Sequence, residues 1–224
     1  MTLELRGVRA GYGSVEVLHG VDLAFPAGCI VAVVGSNSAG KTTLLRCIAG
    51  MIAARMGTIR WAGRDITNSS VYERAAQGMV LVPDERNVFP SLTVRENLEL
   101  FAGGADLGPA IETFPTLEAM LARRVGTLSG GERQMVALAH AVVRPVRLVL
   151  LDEPSRGLSR AANSGFYDRL TSSQSAERTY IIVEQYLEDV LRVADIVYRL
   201  QRGRVVFAGE PGELNRRPAA TGGQ

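Results

Sequence analysis

Cys29-Ile-Val-Ala-Val-Val34, followed at once by Gly35-Ser36-Asn37-Ser38-Ala39-Gly40-Lys41-Thr42-Thr43, decides how the rest of the chain is read. The apolar run reads as a buried strand. The residues after it fit Gly-x-x-x-x-Gly-Lys-Ser/Thr, and Leu44-Leu-Arg-Cys-Ile48 behind them has the pattern of an amphipathic helix. In a strand–loop–helix unit of this kind, consecutive backbone N–H groups and the positive end of the helix dipole form a nest for phosphates. Gly35, Ser36, Asn37, Ser38, Ala39 and Gly40 line that nest. Lys41 is expected on the β- and γ-phosphates, Thr42 on Mg²⁺, and Thr43 on the phosphate side of the helix start.

Composition singles out the same loop. Of 25 basic residues, 24 are Arg and the only Lys is Lys41. An ammonium is a compact point charge that fits between phosphates, whereas a guanidinium is a planar fork. The remaining composition is that of a globular protein: 224 residues, 46% hydrophobic and 21% charged. Disorder, collagen and fibrous coiled coils are thereby excluded. A net charge of +2 argues against a dedicated nucleic-acid binder, so no nucleic-acid partner is expected. Cys29 and Cys47 lie in apolar surroundings and read as reduced core thiols rather than metal ligands. No secretory signal opens the chain, and no apolar stretch approaches the roughly 20 residues of a membrane span.

Apolar runs alternate with amphipathic stretches along the chain, which predicts an α/β fold with parallel strands and crossover helices. Strands are expected at 3–8, 21–25, 29–34, 58–61, 79–82, 147–151, 180–183, 196–200 and 205–208. Helices are expected at 41–49, 71–77, 94–101, 109–124, 131–143, 161–172 and 187–193. The strand-rich first 65 residues suggest a small antiparallel portion, and residues from about 86 to 130 read as an inserted helical subdomain. Residues 1–214 form one domain in this reading, and 215–224 a disordered tail.

Two further motifs bear on chemistry. Arg147-Leu-Val-Leu-Leu151 ends in Asp152-Glu153-Pro154, adjacent carboxylates at the end of a buried strand. Such a pair is expensive unless a cation or a proton relay uses it. Asp152 is placed to hold Mg²⁺ through water, and Glu153 to polarise an attacking water. Leu128-Ser129-Gly130-Gly131-Glu132-Arg133-Gln134 precedes an apolar helix. Ser129 and Glu132 make a capping box. The capping box does not account for Gly130 and Gly131, which cost helix propensity but would expose backbone N–H groups to an anion.

Together these motifs resemble the ATP-binding cassette (ABC) ATPases, from about residue 3 to residue 214. The resemblance implies a P-loop NTPase fold with an antiparallel β subdomain and an inserted helical subdomain. It also implies ATP and Mg²⁺ as ligands, and Ser155-Arg-Gly-Leu-Ser159 as the loop that crosses a dimer interface. Tyr12 matches the aromatic residue that stacks on adenine. Head-to-tail dimerisation would bring Ser129, Gly130 and Gly131 onto nucleotide bound by a second cassette, either a copy or a distinct subunit.

Asp84 stands after Val82-Pro83 where the family usually has Gln, and Gln185 stands after Val183-Glu184 where it usually has His. The stretch 82–98 is similar to the second ATPase subunit of branched-chain amino-acid importers and their urea/amide relatives. That branch implies catalytic roles for Glu153, Lys41 and Gln185, with Thr42, Asp84 and Asp152 at the metal. It further implies two integral-membrane permease subunits, an indirectly coupled periplasmic solute-binding protein, and a peripheral location at the cytoplasmic face of the bacterial inner membrane. Ser38 departs from the usual Gly, and Glu85 from the branch's Gly. The alternatives are a non-transport ABC ATPase and a weakly hydrolysing regulatory cassette of a heterodimer.

Overall fold

The computed structural model describes residues 2–84, 88–144 and 146–214. The start of the expected helical segment at residue 86, Glu85, and the expected 215–224 tail lie outside the described residues.

The buried strand before the phosphate loop is the centre of the molecule. It is β3 (Ile30–Val34), buried along its whole length, and its side chains alternate between two hydrophobic cores. Ile30, Ala32 and Val34 point into one core, Val31 and Val33 into the other. Around β3 runs a six-stranded sheet in the order β10-β9-β3-β8-β7-β6, comprising β6 (Met79–Val82), β7 (Leu148–Asp152), β8 (Thr179–Glu184), β9 (Ile196–Gln201) and β10 (Arg204–Gly209). All neighbours are parallel except β9 and β10. A second, antiparallel sheet has the order β2-β1-β4-β5, from β1 (Leu3–Tyr12), β2 (Val15–Phe25), β4 (Ala54–Trp61) and β5 (Arg64–Asp65).

Helix α1 (Lys41–Ile48) is sandwiched between the sheets, burying Leu44, Leu45, Cys47 and Ile48 in one core with Leu3, Leu5, Phe25 and Trp61. The other face of the large sheet is covered by α5 (Gly130–Val143), α6 (Arg160–Ser172) and α7 (Leu187–Val193). Between β6 and β7 the described chain is helical: α3 (Val94–Ala102) and α4 (Gly108–Thr113) pack against α5. Helix α2 (Val71–Ala76) precedes β6.

Some expected boundaries need correction. The helix expected over 109–124 stops at Thr113, and Pro115–Met120 and Val125–Thr127 are separate 3₁₀ turns. Phe114 sits before Pro115 at φ −130°, ψ 78°, because a proline excludes α geometry from the residue preceding it. Strands β1 and β2 run longer than their apolar cores. Register shifts around Gly7, at φ +58°, break the alternation that marks a strand in the sequence. Strand β5 carries no apolar signal and was not expected. Cys47 is fully buried, but Cys29 is only partly so.

The turn between β9 and β10 ties the two sheets to the phosphate loop. Gly203 N–H donates to the Ala39 carbonyl at 2.9 Å, and its own carbonyl accepts from His19 N–H at 2.9 Å. A Cβ at residue 203 would lie 1.9 Å from the Val17 carbonyl oxygen, so only glycine fits there.

Candidate nucleotide site

The carboxyl ends of three neighbouring parallel strands converge where an open α/β sheet usually binds its ligand. Val34 of β3 leads into Gly35, Asp152 ends β7, and Glu184 ends β8, with register pairs Val34–Glu184 and Asp152–Val183. Gly35 allows the phosphate loop to start against β9, since a Cβ there would sit 2.3 Å from the Leu200 carbonyl oxygen. Gly40 caps α1 at φ +103°, a conformation that L side chains avoid. Ser38 adopts φ +66° although it carries a Cβ, which costs about 1 kcal/mol in the left-handed region. Ser36, Asn37 and Ser38 are exposed, whereas Ala39 is packed into the core.

Lys41 is 5% exposed, and its Nζ donates to the carbonyls of Gly35 at 2.9 Å and Ser36 at 3.2 Å. No carboxylate pairs with it among the described residues. An enclosed ammonium with only dipolar partners calls for an anion, so the loop fits a phosphate. The neighbouring acid has the complementary need. Asp152 is 3% exposed and accepts a hydrogen bond from Thr42 Oγ1 at 3.1 Å. Burial lifts its carboxyl to about 6, the Thr42 hydroxyl opposing and the nearby Asp84 and Glu153 charges adding to the rise. A carboxylate so destabilised, beside a hydroxyl on the first turn of α1, fits a divalent cation whose other ligands are phosphate and water.

Glu153 stands at φ +48°, and its N–H donates to the Val183 carbonyl at 2.9 Å. That left-handed step turns the chain sharply out of β7 and directs the residue toward the end of β8. A cavity of about 360 Å³ opens there, lined by Asn37, Asp84, Glu153, Ser155, Glu184 and Gln185. It joins residues from the phosphate loop, the β6 exit, the β7 exit and the β8 exit, with Gln185 exposed in its wall. Asp84, also in its lining, pairs with Arg156 at 3.3 Å.

Two expected groups stand apart from this cluster. Tyr12 is 45% exposed at the end of β1, its hydroxyl accepting from Arg46 of α1 at 3.2 Å. Ser129 caps α5: its N–H donates to Glu132 Oε2 at 2.7 Å and its Oγ accepts from Glu132 N–H at 3.3 Å. Ser129 and Gly130 are exposed, and no hydrogen bond joins residues 129–131 to the 35–43 loop among the described residues. The two glycines differ. A Cβ on Gly131 would meet the Gly157 carbonyl oxygen at 2.6 Å, whereas one on Gly130 would meet nothing within 4 Å. Packing therefore accounts for Gly131 and leaves Gly130 unexplained within a single chain.

Both histidines have structural surroundings. His19 Nδ1 contacts Glu16 Oε1 at 2.9 Å. His140 is buried against Phe101, ring centroids 3.5 Å apart. Sequence reasoning missed Glu184 as a site-lining residue and Arg156 as the partner of Asp84. A signal for the first was present: Glu184 is the sole charge closing the apolar run Tyr180–Val183.

The sequence profile of the ABC transporter family matches residues 18–156, more than half of the chain. The chain is 38% identical to the probable branched-chain amino acid transport ATP-binding protein LivF of Archaeoglobus fulgidus, covering 92% of this chain and 91% of that protein. It is 35% identical to the high-affinity branched-chain amino acid transport ATP-binding protein BraG of Pseudomonas aeruginosa, covering 88% and 87%. The Nod factor export ATP-binding protein I of Cupriavidus metallidurans is 32% identical, over 95% of this chain and 72% of its own length. Among solved structures, an ATP-binding subunit of an ABC transporter superposes with a TM-score of 0.85 at 26% identity, covering 96% of this chain and 92% of its own.

Proposed function

The chain belongs to the ABC transporter family, and from that membership we propose that it is the ATP-hydrolysing subunit of an importer for branched-chain amino acids or a related small solute. The observation that carries this is the enclosed Lys41 ammonium preceding the Thr42–Asp152 pair, with Glu153, the residue after Asp152, lining a cavity together with Asn37 of the phosphate loop. Two relatives named for branched-chain amino acid transport, each covered over most of its length, support the choice of solute.

In this reading Lys41 and the N–H groups of residues 35–43 neutralise and orient the triphosphate. Thr42 and Asp152 would hold Mg²⁺, with Asp84 nearby, and the ion would supply charge neutralisation for the triphosphate. Glu153 takes the proton of a water aligned on the γ-phosphorus. Gln185 hydrogen-bonds the γ-phosphate without titrating near neutral pH. Tyr12 stacks on the base. Ser129, Gly130 and Gly131 serve the nucleotide of a second cassette: the two glycines offer first-turn N–H groups, and Ser129, whose own N–H is taken by Glu132, offers its hydroxyl.

Residues 1–214 act as one cassette whose partners are that second ATPase subunit, two integral-membrane permeases and, indirectly, a periplasmic solute-binding protein. Through its permease the chain would sit peripherally at the cytoplasmic face of the inner membrane; no described helix is long and apolar enough to cross a membrane. Glu153→Gln tests the reading by phosphate release and nucleotide titration. The variant should bind Mg²⁺–ATP and lose about 10²–10⁴-fold in turnover; turnover near that of the unmodified chain would place the base elsewhere.

A further inference from the structure

Glu184 ends a strand that is otherwise apolar or neutral, and it is 1% exposed. No ion pair involves it among the described residues. Its carboxylate accepts from three neutral donors instead. Oε1 takes the Ser155 N–H at 2.9 Å and the Tyr167 O–H at 3.0 Å, and Oε2 takes the Gln185 N–H at 3.2 Å. Tyr167 is itself fully buried on α6, so the carboxylate is fixed from behind by a rigid element. Enclosing a carboxylate without a cation is unfavourable, and an apolar or amide residue would serve packing better.

What the three bonds join is informative. Ser155 lies two residues after Glu153 and opens the 155–159 loop. Gln185 is an exposed residue lining the same cavity. The Glu153 N–H is anchored on Val183, the residue before Glu184. Glu153, Ser155 and Gln185 are thus all referenced to the last two residues of β8.

We propose that Glu184 is a positioning residue for ATP hydrolysis, splinting Gln185 to the 155–159 loop so that the γ-phosphate contact and the partner-facing loop adjust together. This rests on the ATPase reading above. It implies a role in turnover rather than in holding nucleotide, because among the described residues Glu184 bonds Ser155, Tyr167 and Gln185, and no hydrogen bond joins it to Lys41, Thr42 or the 35–43 loop.

The test is a double-mutant cycle on the full chain, combining steady-state ATP hydrolysis with nucleotide titration for Glu184→Ala, Gln185→Ala and both together. Glu184→Ala is expected to lower kcat about tenfold, a misplacement effect, with KM and nucleotide Kd within about twofold of the unmodified chain. Because Glu184 acts through Gln185, the double variant should be no slower than the slower single variant. Tyr167→Phe, which removes one donor far from the nucleotide, should lower kcat by a smaller factor at unchanged Kd, and it replaces Glu184→Ala in the cycle if that variant does not fold. Unchanged kcat, a matching loss of nucleotide affinity, or independent multiplicative losses would each overturn the proposal. An unmodified chain without turnover would instead overturn the ATPase reading, and this proposal with it.

Discussion

Thr42 Oγ1 and Asp152 Oδ1 lie 3.1 Å apart, joining the first turn of the helix behind the phosphate loop to the end of a strand 110 positions later. The bond holds Asp152 but does not compensate its burial, which leaves the carboxyl at about 6 against 3.8 when unburied. The folded state therefore binds the proton more tightly than the unfolded one, and stability falls as pH rises from about 4 to about 6. Asp152→Asn keeps an acceptor for Thr42 and removes that cost. The nucleotide-free variant should gain about 2–3 kcal/mol at neutral pH, and the gain should vanish below pH 4. Thermal melts at the two pH values check it, and Mg²⁺-dependent turnover should be lost in the same protein.

Ser38 is held left-handed in a loop whose backbone must approach phosphate. Glycine adopts that conformation freely and offers no Cβ to the ligand. Ser38→Gly should tighten ATP binding severalfold in a titration; equal or weaker affinity would show that the loop accommodates the side chain without loss.

Gly130 and Gly131 should respond differently to the same methyl group. Gly131→Ala drives a Cβ against the Gly157 carbonyl and should destabilise the fold by about 1–3 kcal/mol, as overpacking does. Gly130→Ala faces open space and gains helix propensity, so its melting temperature should hold or rise. If the helix start serves nucleotide on a second cassette, Gly130→Ala should nevertheless lose turnover. Full activity in that variant would remove the dimer argument for this residue.

His140 gives an acid-labile core. Burial against Phe101, with the Arg144 charge adding to it, pushes its imidazole down to about 3 from 6.5. Here the unfolded state binds the proton first, so the stabilisation is complete above about 6.5 and is lost as pH falls toward about 3. The slope is about 1.4 kcal/mol per pH unit. His140→Phe titrates nowhere, so its denaturation midpoint should rise steadily relative to that of the unmodified chain on acidification from pH 7 to pH 4.

The parallel core was legible because full burial writes itself as uninterrupted apolar runs. Met79–Val82 and Leu187–Val193 fall where their patterns place them, and β3 starts within one residue of its expected position. Legibility failed where geometry overrides periodicity, at the bulged β1–β2 pair and at Phe114 before Pro115. The phosphate loop and the Asp152–Glu153 pair could be read directly, since each is a short contiguous motif. Glu184 stands out in the sequence only as a charge closing an apolar run; its role depends on Ser155 and Tyr167, which are distant in sequence and adjacent only once α6 packs behind β8. Gly130 was noticed for its low helix propensity, but only the fold separates it from Gly131.

The side-chain-free turn at residue 203 has a mechanical consequence. One residue, Gly203, grips Ala39 through its N–H and His19 through its carbonyl, so the hairpin bearing Tyr12 and the loop bearing Lys41 share a single rivet. Base and triphosphate of one nucleotide would then be clasped by jaws whose spacing is set from outside the cleft, and loosening that rivet would unseat both grips together.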